Sequence, residues 1–243
     1  MRTFGLIGFP LTHSFSKKYF TDKFQQEHIA DAEYLNFSIE KIEDVEQVFE
    51  TKNLCGFNVT IPYKETIIPF LDELDSSASG VGAVNTVVIR NKKKIGFNTD
   101  VHGFENSLKP LLNEHHNKSL ILGTGGSSKA VAYVLKKLRI EFQFVSRNQI
   151  VNSISYDDLK PQIILEHKLI IKTTPVGMFP EIQDAPGIPY SFITSQHLLF
   201  DLIYNPEETE FLKRGKQQGA QTKNGLEMLQ LQAEKSWEIW NKF

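Results

Sequence analysis

The sequence predicts an α/β protein of two domains, each built around a mainly parallel sheet. Three observations across its 243 residues carry that expectation. Short apolar runs alternate with segments of helical spacing, the order of βαβ units. A glycine-rich turn, Gly123-Thr124-Gly125-Gly126, sits between one such run and a helical segment. The polar stretch His115-His116-Asn117-Lys118 interrupts the alternation, and a second series begins after it.

Residues 3–8, 33–39 and 55–60 read as strands. Between them, residues 16–26 and 42–51 place apolar side chains at helical spacing, Phe20 with Phe24 and Val45 with Val48. This βαβαβ order predicts parallel pairing through right-handed crossovers. Residues 83–90 and 94–97 flank the polar Asn91-Lys92-Lys93, so a hairpin is expected there, followed by a helix over about 101–112. In the second series, residues 119–123, 141–145, 169–173 and 198–202 are the expected strands. Residues 127–138 predict a helix with Ala130, Val131, Val134, Leu135 and Leu138 on its inner face. The last helix, about 226–240, is unusually apolar and is expected to pack on the first domain.

A formal charge of −2 with no basic stripe argues against a nucleic-acid footprint. Cys55 is alone, so no intramolecular disulfide can form, and a single thiol suits a reducing compartment. No apolar run approaches the roughly 20 residues that span a bilayer, and the first strand begins without a signal-peptide pattern. A soluble cytoplasmic protein is expected. The seven histidines show no metal-ligand spacing, and no metal is expected.

Residues 119–130 run strand, tight turn, helix. Glycines let a backbone approach a pyrophosphate, and the free N–H groups of a helix start favour anionic oxygens. No Gly-Lys-Ser/Thr ends the run, which sets aside a Walker loop. The pattern departs from G-x-G-x-x-G: Ser128 takes the third glycine position and Gly126 is an extra glycine. A plain βα connection is the bland reading; a place after a strand in the second series favours dinucleotide binding. The next strand ends Ser146-Arg147-Asn148, with no acid to hold ribose hydroxyls. Arg147 can pair with a 2′-phosphate, which points to NADP, the alternative being a solvated arginine at a strand end.

The run from Gly56 to Lys64 places a lysine one turn beyond a strand end crowded with Asn58 and Thr60. Such a lysine is a candidate proton donor facing a small polyhydroxylated ligand, or else a solvated surface group. Asn85-Thr86 and Asn98-Thr99-Asp100 also fall at predicted strand ends, where open α/β sheets bind ligands. Ser14 and Ser16 offer two donors suited to a carboxylate, and Ser16 also reads as a helix cap.

On these residues the chain resembles the shikimate dehydrogenase family over nearly its whole length. Ser14-Phe15-Ser16 is similar to the family's serine pair, and Asn58 through Lys64 match its N-V-T-x-P-x-K motif. Gly82 to Thr86 and Asn98 to Asp100 match G-A-V-N-T and N-T-D. The glycine loop, Ser146-Arg147-Asn148, the Thr173 to Met178 segment, Tyr204-Asn205-Pro206 and the Gly225 to Gln232 segment resemble later family motifs in the right order.

The resemblance implies NADPH-dependent reduction of 3-dehydroshikimate to shikimate, in aromatic amino-acid biosynthesis. Lys64 would stabilise and protonate the developing alkoxide, and Asp100 would orient the lysine and bond a neighbouring hydroxyl. A free lysine titrates near ~10.4, so the reverse oxidation should gain as pH rises. Ser14, Ser16, Thr60 and Tyr204 would lie near the substrate carboxylate, and the amides of Asn58, Asn85 and Gln232 near ring hydroxyls. Gly123, Thr124, Gly125, Gly126, Ser127, Ser146, Arg147, Asn148, Thr173, Leu202 and Gly225 would hold NADP. The implied division is a substrate domain of residues 1–100 completed by 224–243, and a Rossmann-like dinucleotide domain of 101–223, with substrate in the cleft joining them. The implied partner is a small-molecule substrate, with no nucleic acid or membrane, in a monomer or homodimer.

Three departures stand out. Lys17 replaces a common proline, Lys172 stands where asparagine is usual, and Asn148-Gln149-Ile150-Val151 lacks a second basic residue after Arg147. The alternatives are a quinate/shikimate dehydrogenase using NAD and a catalytically silent dinucleotide-binding regulator. Retention of Lys64 and Asp100 counts against the silent regulator. A folate dehydrogenase of similar architecture fits less well, because the serine pair and late glutamine suit a small acid.

Overall fold

A computed structural model describes residues 1–11, 15–147 and 153–242. Two compact units divide the chain, one of residues 1–99 with 232–243 and one of residues 100–231.

In the first unit, β1 (Arg2–Gly8) pairs in parallel with β2 (Ala32–Ser38) on one side and β3 (Leu54–Val59) on the other. The crossovers are α1 (Phe15–Gln26), which buries Phe20 and Phe24, and α2 (Val45–Phe49), which buries Val45 and Val48. The helix expected over 42–51 is shorter at both ends. Ile42–Asp44 wind as a 3-10 turn, and Asn53 takes a left-handed φ of 58° that swings the chain into β3.

Two short elements escaped the sequence reading, β4 (Glu73–Leu74) and α3 (Ser76–Val81). The Asp75 side chain caps α3 by accepting from the Ser77 N–H at 2.8 Å. The expected hairpin forms from β5 (Thr86–Arg90) and β6 (Lys93–Phe97). Asn91 and Lys92 both have positive φ, as a two-residue turn matched to strand twist requires, so Lys93 belongs to β6. The sheet order is β2-β1-β3-β5-β6-β4.

Alternation along β1 sends Phe4 and Leu6 to one face and Ile7 to the other. Ile7 joins Val45, Val48, Phe57 and Ile67. The opposite face is aromatic: Phe4 stacks on Trp240 at 4.8 Å and Phe20 on Tyr34 at 4.6 Å. Trp240 belongs to α8 (Leu226–Lys242), and its indole donates to the Val87 carbonyl at 3.0 Å. Each such ring pair adds about 0.5–1.5 kcal/mol beyond the area it buries.

The second unit opens with α4 (Asp100–Leu108), which stops short of the expected 112 because a 3-10 turn containing Pro110 follows. Its sheet comprises β7 (Lys118–Leu122), β8 (Glu141–Val145), β9 (Ser153–Ile154), β10 (Leu169–Lys172), β11 (Leu198–Asp201) and β12 (Gln221–Lys223). All pairs are parallel, in the order β12-β11-β10-β7-β8-β9. Between strands lie α5 (Gly126–Lys137), α6 (Pro161–Glu166) and α7 (Glu210–Gln217). Ala130, Val131, Val134 and Leu135 of α5 are buried as expected, while Leu138 is the half-buried residue that caps its end. Short β9, α6, α7 and β12 were not foreseen. Among the described residues, no helix is long and apolar enough to cross a membrane.

Candidate active site

Strand register gathers the first unit's polar residues at one sheet edge. Leu6 is level with Asn58, Asn58 with Thr86, and Thr86 with Phe97. Because β5 runs against β3 and β6, the start of β5 meets the ends of the other two. Asn85 therefore lies at the edge where Thr60 follows β3 and Asn98-Thr99 follow β6. The backbone hydrogen bonds agree: Val59 N–H donates to the Asn85 carbonyl at 2.8 Å, and Asn85 N–H to the Phe97 carbonyl at 3.0 Å.

A buried network of neutral groups fills this edge. Asn58 Nδ2 donates to the Asn85 carbonyl (3.2 Å), Thr86 Oγ1 (3.1 Å) and Ser236 Oγ (3.0 Å), and Asn58 Oδ1 accepts from the Tyr34 hydroxyl at 2.8 Å. Asn85 Nδ2 donates to Thr99 Oγ1 (3.0 Å) and Gln232 Oε1 (3.3 Å), while its Oδ1 accepts from the Thr99 N–H at 2.7 Å. The three amides read from the sequence thus meet in one network. Thr86 and Thr99, noted in the sequence only as strand-end residues, are also members, and Tyr34 and Ser236 are members that the sequence reading missed. Ser236 had a signal, since it stands one helical turn after Gln232 on the same face of α8.

Ser16 is the second residue of α1, not its cap, which corrects that reading. Its hydroxyl lies near the Tyr34 phenol and favours the ionised form. Burial pushes that phenol well above its ordinary value, so it stays a neutral donor. Ser14 and Asn148 lie outside the described residues. Thr60 follows β3 directly, its N–H donating to the Ile7 carbonyl at 2.9 Å. Lys64 is half-buried in the turn beyond. That turn is pinned by the Tyr63 hydroxyl on the Ile39 carbonyl (2.6 Å) and by the Val84 N–H on the Lys64 carbonyl (2.7 Å).

The second unit has its own edge. Leu122 is level with both Val145 and Lys172, and Lys172 with Asp201. The next residue of each strand, namely Gly123, Ser146, Thr173 and Leu202, therefore stands at the same level beyond the carboxyl ends. β7 lies between β8 and β10, so the chain's direction of progress reverses there; open α/β sheets bind ligands at such a switch point. A cavity of about 470 Å³ opens at this edge, lined among others by Gly123, Thr124, Ser146, Arg147, Tyr156 and Thr174. Arg147 is exposed at the cavity, and Tyr156 is a wall residue the sequence reading missed. Burial pushes the Tyr156 phenol up, and the nearby Arg147 charge opposes that push.

The glycine loop suits a dinucleotide. Gly123 has a φ of +113°, and a Cβ there would come within 2.7 Å of Thr173 Oγ1. A Cβ on Gly125 would meet no protein atom within 4 Å, so internal packing does not demand glycine at that position. Gly125 precedes the twelve-residue α5, whose first N–H groups belong to Gly126 and Ser127. Ser128, at the departure from the glycine pattern, is buried and donates its hydroxyl to the Gly125 carbonyl at 2.6 Å. Thr173 is committed to the Leu122 carbonyl at 2.9 Å, whereas Thr174 Oγ1 is buried with no hydrogen-bond partner among the described residues. Gly225 packs directly on the Leu202 carbonyl, leaving no room for a side chain.

Asp100 is buried as the first residue of α4, where the helix dipole favours a carboxylate. Burial raises the half-buried Tyr204 phenol. Among the described residues, no group of three or more His, Cys, Asp or Glu could hold a metal.

A parallel sheet with a glycine turn at its switch point is the form of the Rossmann-like dinucleotide-binding proteins. The sequence pattern of the shikimate dehydrogenase substrate binding domain matches residues 6–87. The NADP(+) shikimate dehydrogenase of Desulforamulus reducens is 34% identical, over 98% of this chain and 89% of its own. The crystal structure of shikimate dehydrogenase 1 from Peptoclostridium difficile is 37% identical with a TM-score of 0.85, covering 100% of this chain and 92% of that one. The Thermus thermophilus shikimate 5-dehydrogenase, solved with NADP(H) and shikimate, is 26% identical with a TM-score of 0.87, covering 100% and 94%. The chain belongs to the shikimate dehydrogenase family.

Proposed function

We propose that this chain interconverts 3-dehydroshikimate and shikimate with NADP(H), a step of aromatic amino-acid biosynthesis. The observation that carries the reading is the first unit's sheet edge. There Asn58, Asn85 and Gln232 share one buried network, with Thr60 directly after β3 and Lys64 in the turn beyond. Such an edge suits a small ligand rich in hydroxyls.

When bound, NADPH supplies the hydride for the ketone carbon. The Lys64 ammonium stabilises the oxygen that gains charge and hands it a proton. Asp100 orients that ammonium and accepts from a neighbouring substrate hydroxyl. In the oxidation direction Lys64 takes the proton back. Ser14, Ser16, Thr60 and Tyr204 hold the carboxylate, and Asn85 and Gln232 hold ring hydroxyls. Asn58, already bonded by Tyr34, Thr86 and Ser236, acts mainly by fixing the Asn85 carbonyl and its neighbours.

Gly123, Thr124, Gly125, Gly126 and Ser127 cradle the pyrophosphate with the first N–H groups of α5. Ser146, Arg147 and Asn148 hold the 2′-phosphate, and Thr173, Leu202 and Gly225 border the nicotinamide half. Residues 1–100 with 224–243 thereby serve the substrate, and 101–223 the dinucleotide. The protein works in the cytoplasm as a monomer or homodimer, on a small molecule and without nucleic acid or membrane.

The test is turnover with shikimate and quinate, each with NADP and NAD. Preference for the shikimate–NADP pair supports the reading. A preference for quinate or NAD favours the quinate/shikimate alternative, and absence of turnover favours a silent binding protein.

A further inference from the structure

Lys172 and Asp201 face each other across β10 and β11, and both side chains are completely buried at 0% exposure. Lys172 Nζ lies 3.0 Å from Asp201 Oδ1 and donates to the carbonyls of Thr174 (3.2 Å) and Val176 (2.7 Å). An ammonium has three donors, and each of these has an acceptor. On the other side, Asp201 Oδ1 accepts from the Ile203 N–H at 3.0 Å and Oδ2 from the Thr209 hydroxyl at 2.6 Å. One charge pair thus ties down two loops, the ammonium holding residues 173–176 and the carboxylate holding 202–209.

Both loops leave the sheet edge that carries Gly123. Thr174, Pro175 and Val176 line the same 470 Å³ cavity as Thr124, Ser146 and Arg147. The approach is close, since a Cβ on Gly123 would meet Thr174 Cγ2 at 2.8 Å. An outward shift of the loop would therefore open the cavity wall. Stability alone does not account for the pair, because desolvating two charges offsets most of their attraction. Burial pushes the Lys172 ammonium down and the Asp201 carboxyl up, and each partner's charge opposes that push.

We propose that Lys172 and Asp201 are positioning residues, a buried charge pair that sets the 174–176 wall of the dinucleotide cavity. This rests on the dehydrogenase reading above. Lys172→Met combined with Asp201→Asn removes both charges at similar volume, a change that buried ion pairs often tolerate. The amide oxygen introduced at position 201 still accepts from the Ile203 N–H, so the second loop keeps its tie, but the Thr174 and Val176 carbonyls lose their donor. The expected result is NADP binding weaker by about 10-fold or more in calorimetry, the cost of ordering a few loosened loop residues. The KM for NADP should rise in parallel, with kcat and the KM for shikimate changing far less. Thermolysin should also cut within 174–182 below the unfolding temperature, a local opening that general destabilisation does not produce. Lys172→Gln with Asp201→Asn returns one donor and should recover part of the affinity, which keeps the test decisive if the methionine variant fails to fold. Wild-type affinity and wild-type protection in the methionine double variant, or in the glutamine one should the first fail to fold, would overturn the proposal. A wild-type protein that binds no NADP would overturn the dehydrogenase reading instead.

Discussion

The two units hold their buried polar groups in different ways. In the first, seven neutral side chains from β2, β3, β5, the segments flanking β5 and β6, and α8 share donors and acceptors, with Asn58 and Asn85 at the centre. In the second, a buried ion pair between adjacent strands grips backbone groups of the loops that follow. The difference matches the ligands proposed for each. Ring hydroxyls are distinguished by where neutral donors and acceptors stand, so the first unit fixes amide orientation. A dinucleotide is met mostly by backbone N–H groups, so the second unit fixes loops.

The largest effect is expected at Lys64, a half-buried charged residue in the turn beyond β3. Lys64→Ala should lower kcat by about 10²–10⁴-fold, the range for a positioned proton-transfer group. NADP binding and the unfolding midpoint should barely move. Near-normal turnover in steady-state assays would return Lys64 to an ordinary surface role.

Asn58→Leu probes the neutral network itself. The Tyr34 hydroxyl, Thr86, Ser236 and the Asn85 carbonyl would all lose a partner. With each buried unsatisfied group costing about 1–3 kcal/mol, urea denaturation should show a loss of about 3 kcal/mol and a raised KM for shikimate. A stability change under about 1 kcal/mol would mean that the network repairs itself with little cost.

Cofactor choice sharpens the second unit's side. Arg147 is an exposed basic residue lining the cavity, proposed above to hold the 2′-phosphate, and a charge-assisted bond of about 1.5–3 kcal/mol corresponds to roughly 10- to 150-fold in affinity. Arg147→Ala should remove most of the NADP preference and leave NAD binding nearly unchanged. Titrating both cofactors at saturating shikimate checks this, and a variant that keeps its preference would move the discrimination elsewhere.

Much of this was legible in the sequence, and the reasons are physical. Phe20 with Phe24, Val45 with Val48 and the apolar face of α5 carry their own periodicity. The glycine turn carries its backbone demands, and strand ends in an α/β order are where ligands bind. Register, by contrast, is invisible in a linear sequence. Lys172 read only as a departure from a motif, because its partner Asp201 lies far along the chain and meets it only when β10 and β11 align. Tyr34 reaches Asn58 across β1, a contact no spacing rule announces. The short β4, β9 and β12 hold too few residues to show a period.

The smallest effect concerns His116 and His197, both buried near the starts of β7 and β11. Burial lowers both imidazoles below their ordinary value, helped by the charge of His115 beside His116 and by those of Lys168 and His116 near His197. The unfolded chain therefore binds protons more readily, so their contribution is intact above the unfolded value of about 6.5 and is lost as pH falls below it. Each histidine adds a slope of at most about 1.4 kcal/mol per pH unit. Unfolding midpoints measured between about pH 8 and pH 5, the range around the histidine value, should fall more steeply in the wild type than in His116→Gln, and equal slopes would contradict the assignment.

The proposed reaction is hydride transfer from NADPH to 3-dehydroshikimate with Lys64 at the reacting oxygen. NADPH deuterated at the transferable nicotinamide position tests it directly, with the product followed by mass spectrometry in single turnovers. The wild type should deliver one deuterium to the carbon that becomes the new alcohol of shikimate, and Lys64→Ala should deliver the same label about 10²–10⁴-fold more slowly. Shikimate formed without the label, or labelled equally fast by the variant, would contradict the account.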